Sequence, residues 1–73
     1  MIIDKLVHMA NQIATNFAYL ADQEQAAARV ADHMQRFWNP TMRSEIVAHF
    51  NTGGPDLSEI AQLAVGKIAE LDG

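Results

Sequence analysis

Arg36-Phe37-Trp38-Asn39-Pro40-Thr41-Met42-Arg43 decides how this chain folds, because one helix ends and the next begins within it. Proline at 40 pushes Asn39 out of helical dihedrals, so a helix arriving from the N-terminal side stops near Phe37 or Trp38. The same pair is a start signal, since Asn caps a helix and Pro fits its first position. A bend of one Asn-Pro step is too tight for an easy antiparallel return. The two helices are therefore expected to cross at a steep angle.

Helical period dominates on both sides of this corner. Upstream, Asp22 opens a helix with Gln25 three residues later, close to a capping box. Ala27, Val30, Ala31, Met34 and Trp38 line one face, while Arg29, Asp32 and Arg36 point away. This helix is predicted over residues 22–38. Before it, Ile3, Leu6, Val7, Ala10, Ile13, Ala14 and Phe17 recur at steps of three and four, flanked by Ile2, Met9 and Leu20. Lys5, His8, Gln12 and Tyr19 fall on the opposite side, giving a first helix over 2–20.

Downstream, Met42, Ile46, His49 and Phe50 share one face of a third helix over 40–51, the weakest period of the four. Thr52-Gly53-Gly54-Pro55 is a breaker. Asp56 and Glu59 then make an acidic capping pattern, with Ser58 in the first turn of a fourth helix over 57–71. Its stripe is Leu57, Ile60, Ala61, Ala64, Ile68 and Leu71, and Gly66 falls on the outer face, weakening the helix by up to about 1 kcal/mol. The expected fold is all-α, a compact bundle of about four short helices forming a single domain over 1–73.

Size and charge bound the function. A chain of 73 residues buries only about 60% of its unfolded surface, which leaves it marginal alone. Small domains need disulfides, a metal, very good helix packing or a partner. Cysteine is absent, so thiolates are excluded, and the hydrophobic fraction of 49%, much of it alanine, suits helix packing. Five basic residues against nine acidic ones, for a net charge of −4, argue against a phosphate backbone as ligand. No apolar run is long enough for a membrane span. Residues 1–5 carry no basic n-region leading into an apolar segment, so a cytoplasmic location is expected.

Catalytic chemistry finds little to work with. His8, His33 and His49 include no pair at the three- or four-residue spacing that places two ligands on one helix face. His49, on an apolar face, reads as a hydrogen-bonded core histidine, and His8 and His33 as solvated. Ser44 and Ser58 sit in no nucleophile elbow. Gly53-Gly54 lacks the Lys-Ser or Lys-Thr of a phosphate loop.

The corner itself is the candidate partner-binding site: Arg36, Phe37, Trp38, Pro40, Met42 and Arg43. Trp, Met and Arg are enriched at interface cores. Trp38 sits at the centre of its stripe and reads first as core. Phe37 falls at the stripe's edge beyond Ala26 and Val30, where an apolar arc can offer part of itself to another surface. Arg36 and Arg43 lie on polar sides, either as solvated charges or as forked donors to a partner. Tyr19 and Leu63 add apolar bodies on polar faces, more than one small bundle covers.

Met9-Ala10-Asn11-Gln12-Ile13 and His33-Met34-Gln35-Arg36-Phe37-Trp38-Asn39-Pro40, followed by Met42-Arg43, resemble the small delta subunit of soluble NAD-dependent, molybdenum-containing formate dehydrogenases. The block spacing, the length and the late Leu/Ile/Ala-rich helix fit as well. The Phe-Trp-x-Pro-x-Met-Arg core is the specific part. Asn39 and Thr41 depart from the pattern, which commonly carries an acidic and a basic residue there. The resemblance implies a non-catalytic accessory subunit docked on the catalytic alpha subunit, supporting assembly or stability. It implies no cofactor in this chain, with molybdenum bis-pyranopterin guanine dinucleotide, iron–sulfur clusters and FMN on partner subunits. The alternatives are a transient chaperone for molybdenum-cofactor insertion and a free-standing helical regulator. Neither nucleic acid nor membrane is an expected partner.

Overall fold

The computed structural model describes residues 2–72, the side chain of Asp72 excepted. Four helices follow one another: α1 (Ile2–Phe17), α2 (Gln23–Phe37), α3 (Pro40–Asn51) and α4 (Glu59–Asp72). No strand occurs among the described residues.

Local chemistry explains most boundaries. Asp22 caps α2 by accepting from the Glu24 amide at 2.9 Å. At the corner, Trp38 closes α2 in extended dihedrals and Asn39 opens α3, its side chain accepting from the Met42 amide at 2.8 Å, with Pro40 in the first turn. The C-terminus of α3 is a Schellman motif: the Gly53 amide bonds the Phe50 carbonyl, and the Gly54 amide reaches back to that of His49. Gly53 has φ +113° there, a conformation that a Cβ would strain.

Two boundaries differ from the sequence expectation. The first helix ends at Phe17 rather than at residue 20. The amides of Ala18 and Leu20 bond the carbonyls of Thr15 and Phe17, three residues back, so the chain tightens into turns and leaves the helical path. The fourth helix starts at Glu59 rather than at residue 57. Its cap is Ser58, whose hydroxyl accepts from the Ala61 amide at 3.3 Å. Asp56 instead takes φ +69° after Pro55, in a turn closed by the Leu57 amide on the Gly54 carbonyl.

The core draws on every helix. Leu6, Val7, Ala10, Ile13 and Ala14 come from α1, Ala27, Val30, Ala31 and Met34 from α2, Ile46 from α3, and Ala61, Ala64, Val65 and Ile68 from α4, with Trp38 and Leu57 from the links. α2 packs most extensively on α4, where small buried residues on both helices let the axes approach. α2 and α3, though consecutive, do not lie side by side, as the tight corner predicts. The radius of gyration is 10.8 Å, against about 11 Å expected for a compact chain of this length.

Gly66 does not lie on a free outer face. It is half-buried, and a Cβ there would stand 3.3 Å from Cζ of Phe50 on α3. The missing side chain is what lets the Phe50 ring sit on α4. A second tertiary lock is Asn11 of α1. Its amide donates to the Asp56 carbonyl at 2.8 Å and its carbonyl oxygen accepts from the Ser58 amide at 2.9 Å. One side chain thus holds the entry into α4.

Replacing Asn11 with Ala removes both bonds and is expected to cost about 1–3 kcal/mol. Thermal unfolding checks this, with a fall in Tm of about 4–8 °C per kcal/mol for a domain this small.

Candidate docking surface

The corner residues separate into three groups once folded. Trp38 is 5% exposed and belongs to the core. Phe37, its neighbour, is 71% exposed. The reversal comes from the exit of α2, where Phe37 is the last helical residue and Trp38 already turns inward as the C-cap. Ala26 and Val30, on the same side of the helix as Phe37, are fully covered, so the apolar arc runs out of the core only at its last turn.

Arg43 is not a solvated charge on a polar side. It is half-buried, and its Nη1 donates to the Trp38 carbonyl, with the Gln35 carbonyl at 3.5 Å. Those carbonyls end α2, where the helix leaves acceptors unmet and its dipole is negative. Arg43 therefore ties the start of α3 to the end of α2. Arg36 points outward and pairs with Asp32 at 3.1 Å, one turn back. Both side chains are well exposed, so the pair contributes no more than about 0.5 kcal/mol. Pro40 is exposed at the head of α3.

Phe37, Trp38 and Met42 meet in a groove of about 350 Å³, whose other wall is α1. His8, Met9, Gln12 and Ile13 form that wall, and His33 continues the α2 side. The His33 and Phe37 rings lie one turn apart with centroids 4.8 Å apart, tilted by 44°. Sequence reasoning placed no functional residue on α1. The Met9–Ile13 block marks this wall in the sequence only through the family resemblance.

His49 is half-buried rather than a core histidine. Its Nε2 lies 2.8 Å from the Pro55 carbonyl, joining α3 to the following link. No charged or polar residue among those described is buried, and no group of three His, Asp or Glu stands where it could hold a metal ion. No described helix is long and apolar enough to cross a membrane. Further apolar side chains stand in solvent away from the groove, Tyr19 (78% exposed) among them.

A family model described as NADH-dependent formate dehydrogenase delta subunit FdsD matches residues 5–65. No curated protein and no solved structure matches the chain.

The two arginines should separate in a melting experiment. Arg43→Ala strands the carbonyl of Trp38 in a partly buried corner and is expected to cost about 1–3 kcal/mol. Arg36→Ala, which loses only an exposed pair, should stay within about 0.5 kcal/mol of the parent. Equal losses would show that the corner clamp adds nothing.

Proposed function

We propose that this chain, which belongs to the NADH-dependent formate dehydrogenase delta subunit family FdsD, is a non-catalytic accessory subunit that docks on the catalytic alpha subunit and stabilises the assembled complex. The observation that carries the reading is Phe37, an aromatic ring 71% exposed at the lip of an apolar groove. Large aromatic side chains beside well-formed pockets are the usual anchors of protein interfaces. A subunit that binds only the folded state of its partner stabilises that state by mass action, by about 2.7 kcal/mol at a free concentration one hundred times Kd.

In this reading the redox chemistry belongs to other subunits: molybdenum on its pyranopterin guanine dinucleotides, iron–sulfur clusters and FMN. The donor set of this chain agrees with that division. It has no cysteine to supply cluster thiolates. In this reading Trp38 and Arg43 build the corner that presents Phe37. Phe37 and Met42 are the corner residues that reach the partner.

Pull-down of the alpha subunit through a tag on this chain tests the proposal. Phe37→Ala should lower retention about thirtyfold or more, as truncating an interface anchor costs about 2 kcal/mol or above. Its melting temperature should stay near that of the parent, because the ring stabilises little of the isolated bundle. Tyr19→Ala, exposed but off the groove, should be retained in full. Undiminished retention of Phe37→Ala would exclude this surface. Absence of the chain from the cofactor-loaded complex would mark a transient assembly factor instead.

A further inference from the structure

Four methionines carry all the sulfur of this chain, since cysteine is absent. Met1 lies outside the described residues. The other three fall into two environments. Met34 is 0% exposed in the core, so its thioether is sealed from solvent. Met9 on α1 and Met42 on α3 are half-buried, and both line the groove beside Phe37. Two helices distant in sequence thus bring two thioethers to one groove of about 350 Å³. Hydrogen peroxide, a molecule little larger than water, enters a space of that size. No thiol in the chain competes for it.

The chemistry at these sulfurs needs no catalyst in the chain. The Sδ lone pair attacks one peroxide oxygen. The O–O bond breaks as the S–O bond forms, sulfur gives up two electrons, and the remaining oxygen leaves as water. The product is a sulfoxide, a polar and chiral group in place of a flexible apolar one.

Where the cost of that change falls depends on water. In the free chain a sulfoxide oxygen at the groove surface stays hydrated, so the fold tolerates it. Against an apolar partner surface the same oxygen loses its water without gaining a hydrogen bond, which is unfavourable. Phe37 lines the same groove, so the ring that anchors docking stands beside the altered surface.

Resting on the docking reading above, we propose that Met9 and Met42 are a reversible oxidation site for hydrogen peroxide, and that their sulfoxides withhold the free chain from the catalytic subunit. Met34 is spared, so the bundle stays folded while its docking face is altered. The partner covers the groove once bound, so the modification acts before assembly. Methionine sulfoxide reductases reverse it, using two electrons and two protons from a dithiol to release the oxygen as water.

Peroxide treatment of the full-length chain, followed by peptide mass mapping, tests the site. Met9 and Met42 should each gain one oxygen before Met34, which should react only after urea unfolds the chain. Oxidation of Met34 as fast as the pair overturns the assignment. Loss of helical circular dichroism on treatment overturns it too, because the damage would then lie in the core.

The consequence is read by pull-down, with peroxide removed before untreated alpha subunit is added. Retention of the oxidised chain should fall roughly tenfold or more and return after treatment with both sulfoxide reductases. Met9→Leu/Met42→Leu should show the same retention before and after peroxide, whatever its starting level. A peroxide-dependent loss that persists in this variant places the sensitive residue elsewhere and overturns the proposal. Unchanged retention of the fully oxidised parent, with Phe37→Ala still poorly retained, overturns the proposal and leaves the docking reading standing. Failure of the untreated parent chain to be retained overturns the docking reading itself.

Discussion

The structure depends on holding Trp38 in the core while the chain turns at Asn39-Pro40. A helix whose last residue is apolar and exposed, followed at once by a buried tryptophan, needs something to fix the direction of its exit. Three local interactions do so. Pro40 denies Asn39 a helical conformation, the Asn39 side chain caps α3, and the Arg43 guanidinium bonds the carbonyl that Trp38 leaves at the end of α2. Each is modest alone, of order 1 kcal/mol, and they act on the same few residues.

From that corner the rest follows. α3 leaves without packing along α2 and finds its neighbours in α4 and α1. The flank of α2 beside α1 becomes the groove, lined there by Phe37, Trp38 and Met42. On the far side α2 is closed off by α4, where alanines and the bare Cα of Gly66 allow close approach of helices and of the Phe50 ring. One flank of α2 is sealed by small residues, and the other is left open with a large one. That asymmetry leaves Phe37 uncovered at the edge of a bundle with no buried polar residue among those described.

The helices were legible because their signals are local. Period, Asp22, Asn39-Pro40 and the paired glycines act within a few residues of where they stand, and the all-α fold and the corner followed from them. The family was legible through the Phe-Trp-x-Pro-x-Met-Arg run, and a family model covering residues 5–65 agrees. Less legible were the ends of α1 and the start of α4. Leu20 and Leu57 continue the apolar stripes, so period alone carries the helices past turns that the backbone hydrogen bonds impose.

The residues alone supply the inventory: four amphipathic helices, their breaks, a cysteine-free acidic chain and an aromatic-rich corner. How each residue is used depends on the packed helices. Packing sent Arg43 to the α2 carbonyls and Arg36 to solvent, put Gly66 under Phe50, gave Asn11 the lock on the α4 entry, and set α1 opposite Phe37. The physical reason is range. Capping and periodicity are set by neighbours three or four positions away, whereas these contacts join residues whose proximity exists only after the helices have packed.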